Sequence, residues 1–320
     1  MEDSATRQRF RRRLLDWFDR HKRDLPWRQD RDPYRVWLSE VMLQQTRVAA
    51  VTDHYQKFLR RFPTIEKLAS ARESSVLAAW SGLGYYRRAR MLHTAAKKIV
   101  KELEGKVPGS AADLRALAGI GRYTAAAIAS IAFDQPVAVV DGNVERVLQR
   151  VQGRNLAGEE LWRSAGELLN RRRPGDFNQA MMELGATICL PRQPQCLLCP
   201  VSGECATRGE LRRPGNRSRQ IKREIRYALA CRDGAIFMVK RPKTATLMPG
   251  MWELPETSVN GTTAAWLTLR HSITVTDYLV RVMQSLPPDG VDGRWVPESQ
   301  VTTLPLTGLA RKILCAAKII

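Results

Sequence analysis

Apolar residues recur every three or four positions along most of the first two thirds of the chain. Three long stretches keep this spacing: Arg9–His21, Tyr34–Phe62 and Ser74–Leu103. One face of a helix has that period, so each stretch predicts amphipathic helix. Prolines punctuate the pattern, at Pro26, Pro33, Pro63 and Pro108. We therefore predict that residues 7 to about 205 are almost entirely helical.

The pattern changes after Cys205. Residues 206–224 contain seven basic and two acidic residues among glycines and prolines, which is typical of an exposed linker. We therefore predict a helical domain over residues 1–205, a basic linker over 206–224 and a smaller α+β domain over 225–320.

The C-terminal part shows the pattern of strands. Asp233-Gly234 stands between Arg226–Arg232 and Ala235–Arg241, and this dipeptide favours the tight turn of a β-hairpin. Thr276–Met283 predicts another strand, and about Leu306–Lys318 predicts a final amphipathic helix. The predicted fold class is therefore mainly α, with a smaller α+β domain at the C-terminal end.

The charge balance indicates a class of partner. The 320 residues include 52 Lys and Arg against 32 Asp and Glu, a formal net charge of +20. Such an excess favours a polyanion, although a generally basic surface or a membrane-surface protein has the same balance. The sequence has no run of 18 apolar residues and no apolar stretch behind its first arginines. We therefore expect no membrane span, no secretory signal and a cytoplasmic location.

Four of the six cysteines lie within 17 residues, spaced as Cys189-x6-Cys196-x2-Cys199-x5-Cys205. Disulfides are not expected in a cytoplasmic protein, so clustered cysteines are first interpreted as metal ligands. Four thiolates can surround one metal centre; zinc is the generic alternative, and unrelated buried cysteines are the simplest one. The other two cysteines are expected to be buried in a strand and a helix: Cys231 and Cys315.

Two helical stretches meet at Leu117-Ala-Gly119-Ile-Gly121-Arg-Tyr-Thr124-Ala125. Two glycines in so short a connection let the backbone turn tightly and approach a partner. The helix that follows offers free N–H groups to an anion such as phosphate. An ordinary helix-to-helix turn with a glycine cap would contain the same residues.

Two carboxylates stand in unusual surroundings. Asp141 comes directly after an apolar run, where a carboxylate is costly unless compensated, although an aspartate before a helix is most often an N-cap. Glu40 shares its predicted helix face with Val36, Trp37 and Leu43. A glutamate on an apolar face has a raised pKa and is suited to act as an acid, whereas a lone glutamate on a helix is usually solvated.

These motifs together resemble the helix–hairpin–helix DNA glycosylase superfamily, and the cysteine spacing resembles the [4Fe–4S] loop of its endonuclease III and MutY branches. Three segments resemble the MutY adenine DNA glycosylases in particular: Trp37–Thr46, Gly82–Arg90 and Phe177–Gly185. The resemblance extends from Leu14 to Cys205 with little interruption. It implies a [4Fe–4S] cluster on Cys189, Cys196, Cys199 and Cys205, with thiolate ligation suited to such a cluster.

The resemblance also assigns roles to single residues. Glu40 would protonate adenine, and Asp141, at the mouth of the base pocket, would stabilise the developing sugar cation. Gln45 and Tyr85 would wedge into the duplex, and Gln179 would line the adenine pocket. The hairpin would hold a DNA phosphate through Gly119, Gly121 and Thr124.

Tyr123 stands where strand-cleaving members of the superfamily carry a lysine nucleophile. A phenol cannot form an imine, so a glycosylase without strong lyase activity is expected. Asn143 and Tyr123 are expected to orient the reacting groups.

The C-terminal domain resembles, more weakly, the Nudix-like domain of MutY proteins, through Arg241-Pro242 and Leu247–Pro255. Residues 256–275 contain Glu256 as their one acidic residue, so we interpret the domain as a lesion-recognition module, without the paired glutamates of a nucleotide hydrolase. By resemblance, Thr274 keeps the hydroxyl that would contact 8-oxoguanine, whereas Val275 replaces a histidine of the family.

The expected function is therefore hydrolysis of the N-glycosidic bond of adenine opposite 8-oxoguanine or G in double-stranded DNA, by a monomer. Two alternatives remain open. One is a thymine glycosylase of the same fold that acts on G·T mispairs, and the other is a DNA-binding protein that kept the scaffold.

Overall fold

The computed structural model describes residues 3–211, 221–257, 265–273 and 276–320. Within these ranges the chain forms thirteen α-helices: α1 (Ser4–His21), α2 (Pro33–Leu43), α3 (Val48–Arg61), α4 (Ile65–Ser70), α5 (Glu73–Ala79), α6 (Arg87–Glu102), α7 (Ala111–Leu114), α8 (Arg122–Phe133), α9 (Gly142–Gln152), α10 (Gly158–Leu168), α11 (Pro174–Thr187), α12 (Glu298–Val301) and α13 (Gly308–Ala316). It also forms seven β-strands: β1 (Ile221–Leu229), β2 (Cys231–Arg232), β3 (Ala235–Lys240), β4 (Trp252–Glu253), β5 (Leu267–Ile273), β6 (Thr276–Gln284) and β7 (Arg294–Pro297). The predicted fold class, mainly helical with a smaller α+β part, is confirmed.

The described residues fall into two compact units. One comprises Met1–Gln56, Thr64–Glu66 and Thr94–Pro214, and the other comprises Lys57–Pro63, Lys67–His93 and Gly215–Ile320. The second unit thus joins helical residues before position 94 to the strand-rich part of the chain. The domain boundaries proposed from composition stay a prediction.

The core of the first unit is built from the predicted apolar stripes. On α1 the buried positions Phe10, Leu14 and Phe18 follow the spacing of one helix face, and they pack with apolar residues of α9, α10 and α11. The predicted helical region, to about residue 205, extends too far, because the last α-helix of the first unit ends at Thr187. Between Thr187 and Cys205 the chain forms only short 3-10 turns, because Pro191, Pro194 and Pro200 interrupt any regular helix.

Small residues let two helices of the first unit approach closely. The α8 sequence is rich in alanine and buried over most of its length. Gly175, at the start of α11, lies so near α8 that an added Cβ would be 2.5 Å from the carbonyl oxygen of Ser130. Close packing of α8 against α11 fixes where the inward side chains of both helices meet.

In the second unit, β6 lies between β1 and β5, parallel to β1 and antiparallel to β5. The predicted strand over 276–283 is confirmed as β6. A second sheet joins β2, β3 and β4 in that order, with β7 on β3. The two sheets enclose an apolar core that includes Ile236, Val280 and Ile313.

The predicted hairpin is correct at its turn and wrong in its extent. Asp233 and Gly234 both have positive φ, 50° and 68°, as the tight turn requires. The antiparallel pairing covers only β2, and β1 pairs with β6 instead. The prediction missed this because β1 begins at Ile221, inside the segment interpreted as a basic linker.

Two smaller outcomes concern the cysteines and the membrane. Cys231 and Cys315 are exposed and not buried as expected: both residues of the short strand β2 are exposed, and Cys315 is not among the buried positions of α13. In the ranges described above, no helix combines the length and apolarity needed to cross a bilayer.

Candidate active site

A cavity of about 590 Å³ lies in the first unit, where α2, α8, α9 and α11 converge. Cavities of this size hold small ligands in proteins. Six of the residues singled out from the sequence line it: Glu40, Gln45, Tyr123, Asp141, Asn143 and Gln179. They come from segments as far apart as positions 40 and 179, so only the fold brings them together.

Glu40 lies on α2 among apolar neighbours, and 6% of its surface is exposed. Burial raises the pKa of Glu40 to about 7, and the negative charge of Asp141 adds to the rise. A hydrogen bond from Tyr123 and the positive charge of Arg28 act in the opposite direction. The carboxyl group is therefore partly protonated near neutral pH, as a general acid must be.

The Tyr123 hydroxyl donates a hydrogen bond to Glu40 Oε2 at 2.7 Å. It also lies 3.4 Å from Met182 Sδ on α11. Burial, with the charges of Glu40 and Asp141, holds the pKa of Tyr123 well above its ordinary value. The phenol is therefore a permanent donor that fixes the orientation of the carboxyl group.

Asp141 is the N-cap of α9, as its position before a helix suggested. Its Oδ1 accepts the backbone N–H groups of Asn143 at 3.0 Å and Val144 at 2.8 Å. Asn143 Nδ2 donates to the other carboxylate oxygen at 2.9 Å. These donors compensate the charge that the preceding apolar run would otherwise disfavour. The capping role and a position on the cavity wall therefore coexist in one residue.

Arg146 connects this end of α9 to its surroundings. Its Nη2 donates to Asn143 Oδ1 at 2.8 Å and to the Gly185 carbonyl at 2.7 Å. Its Nε donates to the Cys189 carbonyl at 2.8 Å. The asparagine beside Asp141 is thus tied both to α11 and to the first residue of the cysteine loop.

A buried ion-pair group on the cavity wall was missed by the sequence reasoning. Glu183, on α11, is 1% exposed and accepts hydrogen bonds from Arg23 Nε at 2.6 Å and Arg28 Nη2 at 2.8 Å. Burial alone would raise the pKa of Glu183, but the two arginines more than offset it and leave that pKa below its ordinary value. Glu183 lies four residues after Gln179, on the same face of α11. That spacing was the one feature of the sequence that could have placed Glu183 in the site.

Gln44 and Gln45 lie where the chain leaves α2. Gln44 Nε2 donates to Thr124 Oγ1 at 3.1 Å, and Thr124 is 2% exposed. The Thr124 side chain therefore faces the protein interior. Gln45 has a φ of +56°, a conformation that costs energy for a residue other than glycine.

The connection between α7 and α8 has the geometry of a tight hairpin. Gly119 adopts a φ of +77°, which favours glycine, and Gly121 is the N-cap of α8 without a capping side chain. The first N–H groups of α8 are thus directed toward the hairpin, as an anion site requires. Next to it, the Arg122 guanidinium lies 4.0 Å from the centre of the Trp162 ring.

Tyr85 is a further predicted site residue. It belongs to the second unit, is half exposed and has a φ of +47°. The Arg88 guanidinium covers its ring at 5.4 Å. Thr274 and Val275 lie outside the described residues.

The four clustered cysteines line one narrow cavity with apolar walls. Arg150 Nη1 lies 3.3 Å from Cys189 Sγ, and the Cys205 thiol lies 3.4 Å from the Arg150 carbonyl. A set of four thiols around a common space suits a thiolate-bound metal centre. Among the residues that the structure describes, no three side chains of Cys, His, Asp or Glu are grouped so as to hold a single metal ion.

The chain is similar to known DNA repair proteins. Residues 38–170 match the model of the family described as HhH-GPD superfamily base excision DNA repair protein. The chain is 52% identical to an adenine DNA glycosylase of Rattus norvegicus over 218 residues, which are 63% of this chain and 42% of that protein. It is 40% identical to an adenine DNA glycosylase of Arabidopsis thaliana over 306 residues, which are 79% of this chain and 48% of that protein.

Among solved structures, a thermostable thymine-DNA glycosylase is 31% identical, with a TM-score of 0.60. The match covers 64% of this chain and 97% of that one. The chain spans about half the length of the curated relatives it matches. The chain therefore belongs to the HhH-GPD superfamily of base excision DNA repair proteins, and within that superfamily it is similar to curated adenine DNA glycosylases.

Proposed function

We propose that the protein is a DNA glycosylase that removes adenine from duplex DNA where it stands opposite 8-oxoguanine or G, leaving an abasic site. One observation carries the proposal: a buried glutamate with a pKa of about 7 shares a 590 Å³ cavity with a second, capped carboxylate. Cleavage of a glycosidic bond needs an acid at the leaving group and an anion near the developing cation. That the released base is adenine is inferred from the curated relatives, which are adenine DNA glycosylases.

Glu40 and Tyr123 form the acid side of the proposed mechanism. The target adenine is flipped out of the duplex into the cavity, and the protonated Glu40 carboxyl donates its proton to the base. The neutral, strongly held phenol of Tyr123 keeps Glu40 Oε2 in place, 2.7 Å away. Protonation turns adenine into a better leaving group and lowers the barrier of bond cleavage.

Asp141 and Asn143 form the anion side. As the glycosidic bond lengthens, positive charge develops on the sugar, and the Asp141 carboxylate stabilises it electrostatically. Three donors from Asn143 and Val144 hold this carboxylate in position. Glu40, after giving up its proton, then assists the attack of water. Because Tyr123 cannot form an imine with the abasic sugar, the reaction ends without strand cleavage.

The test is single-turnover base release from three duplexes that contain A opposite 8-oxoguanine, A opposite G, or T opposite G. The parent is expected to release adenine from the first two. Glu40→Gln keeps the shape but has no transferable proton, so its rate should fall at least about a hundredfold. The matched control is Glu102→Gln, an exposed glutamate on α6, which should keep the parent rate.

Two results would contradict the proposal. Release of thymine in preference to adenine would assign the activity of the related thymine-DNA glycosylase instead. An unchanged rate for Glu40→Gln would remove Glu40 from the acid role.

We infer that Cys189, Cys196, Cys199 and Cys205 hold a [4Fe–4S] cluster. The support is the four-thiol cavity and the apolar core that Cys189, Cys199 and Cys205 pack against. Such a cluster, when bound, would give the loop a fixed shape, and Arg146 joins that loop to Asn143. Metal analysis is expected to find about four irons per chain; one zinc and no iron would contradict the inference.

We further propose that Thr274 contributes to reading the oxidised partner base. A polar contact to a base edge contributes about 1–3 kcal/mol of discrimination. The same base-release assay, applied to Thr274→Val, is expected to show a smaller preference for A opposite 8-oxoguanine over A opposite G. An unchanged preference would assign the contact to another residue.

A further inference from the structure

The first unit contains a second concave surface, which shares no lining residue with the active-site cavity. It has a volume of about 1000 Å³ and lies between α1 and the segment that joins α10 to α11. Two acidic residues line it, Asp16 and Glu167, and six arginines: Arg9, Arg11, Arg12, Arg171, Arg172 and Arg173. We call this surface the arginine groove.

Two of the arginines are built into the walls of the groove. Arg11 donates from Nε to the Leu168 carbonyl at 2.9 Å and from Nη2 to the Glu167 carbonyl at 2.6 Å. Arg173 is bound by the carboxylates of Asp19 and Asp176. These bonds hold α1 against the segment after α10, so the groove has a defined shape.

Three other arginines form no ion pair with any acidic side chain that the structure describes. Arg12, Arg171 and Arg172 are exposed, and in the described ranges none of their guanidinium groups forms an ion pair or a hydrogen bond. Burial, and then the positive charges of Arg7 and Arg171, lower the pKa of Arg11. Arg7 and Arg171 are therefore close enough to repel Arg11, and a bound anion would relieve that repulsion.

The groove lies away from the hairpin. Gly175, two residues after Arg173, packs on Ser130 and Ile131 near the C-terminal end of α8. The hairpin glycine Gly121 caps the other end of that helix. Twelve residues of α-helix span about 18 Å, so the hairpin and this end of the groove are separate places on the first unit.

The residues that line the groove indicate which kind of polyanion it can bind. Leu15 and Leu169, its two leucines, are 5% and 3% exposed, so the groove offers no apolar anchor of the kind that protein interfaces use. Among the residues that the structure describes, no aromatic one lines the groove, and single strands need aromatic platforms for their bases. A phosphate backbone needs only positioned cations, and arginine forms paired hydrogen bonds with phosphate.

We propose that the arginine groove binds the phosphate backbone of a second DNA duplex, independently of sequence and at the same time as the active site holds the first. The choice of duplex DNA as ligand rests on the proposed function. A protein that contacts two duplexes could pass from one DNA segment to another without full dissociation.

The experiment measures how many 12-base-pair duplexes, free of mispairs, bind one full-length chain at low salt by native mass spectrometry. The parent is expected to bind two. The triple variant Arg12→Gln, Arg171→Gln, Arg172→Gln is expected to bind one duplex. The weaker, salt-dependent binding of the second duplex should be lost. The triple replacement by lysine keeps the charges and should keep the second duplex.

A matched control removes the same charge from exposed positions outside the groove, by Arg60→Gln, Lys97→Gln and Lys101→Gln, and should still bind two duplexes. Retention of the second duplex by the groove variant, or its equal loss from the control, would overturn the proposal. Displacement of the second duplex by polyglutamate as effectively as by unlabelled duplex would assign the groove to acidic proteins instead. These readouts need no substrate base, so a parent that releases no adenine would contradict the proposed function alone.

Discussion

Glu40 shows how a single carboxyl group links stability to chemistry. Its pKa lies at about 7 because burial disfavours the ionised form, against an ordinary value of 4.5. The folded protein therefore holds this proton more tightly than the unfolded chain does. The resulting contribution to stability is fully present below pH 4.5 and is lost as the pH rises through 7.

This sign gives a prediction at the residue scale. Glu40→Gln carries no charge at any pH, so it avoids the cost of a buried carboxylate. The variant is expected to be more stable than the parent by up to about 3 kcal/mol at pH 8.5, and nearly equal at pH 4.5. Thermal unfolding at both pH values checks this, with the exposed Glu102→Gln as the control that should show no such difference. A parent that is the more stable protein at pH 8.5 would contradict it.

At the scale of elements, the contact between α9 and α11 fixes the anion side of the cavity. Gly185 on α11 faces the start of α9, and an added Cβ would lie 2.6 Å from Asn143 Cβ and 3.1 Å from its backbone. Real Cβ contacts are longer, so one of the helices would have to move. Asn143 and Asp141 would move with α9, because both belong to its N-terminal cap.

Gly185→Ala is therefore expected to reduce base release and to lower the free energy of unfolding by about 1–3 kcal/mol. The matched control is Gly166→Ala in α10, where an added Cβ meets nothing within 4 Å. That variant should be neutral or more stable by up to about 1 kcal/mol, because alanine favours helix over glycine. Equal effects of the two substitutions on base release would contradict the packing argument.

At the scale of the whole molecule, the dominant property is the net charge of +20. DNA affinity that comes from neutralised phosphates falls steeply with salt, because released counterions drive binding. We expect the affinity for a mispair-free duplex to fall by about 10³–10⁵ between 50 and 200 mM salt, as for six to ten phosphate contacts. Fluorescence anisotropy with a labelled duplex measures this, and a fall of less than tenfold would contradict a charge-driven DNA interface.

Features that depend on residues close together in the sequence were predictable from the sequence. The apolar face that buries Glu40, the cap at Asp141 and the glycine hairpin each depend on residues a few positions apart, and their spacing encodes the local geometry. The turn at Asp233-Gly234 was found for the same reason. The spacing of four cysteines within 17 residues likewise placed them around one cavity.

Features that depend on contacts between residues far apart in the sequence were decided only by the tertiary structure. The ion pairs of Glu183 join residues about 160 positions apart, and nothing in the local pattern distinguishes them from surface charges. The parallel pairing of β1 with β6 is non-local in the same way, so β1 could be mistaken for linker. The sequence by itself therefore determined which chemical groups are available and how each is held locally, because local geometry follows from spacing. Which of them meet in a cavity or a groove depended on how distant helices and strands pack, because burial and pairing energies are properties of the assembled core.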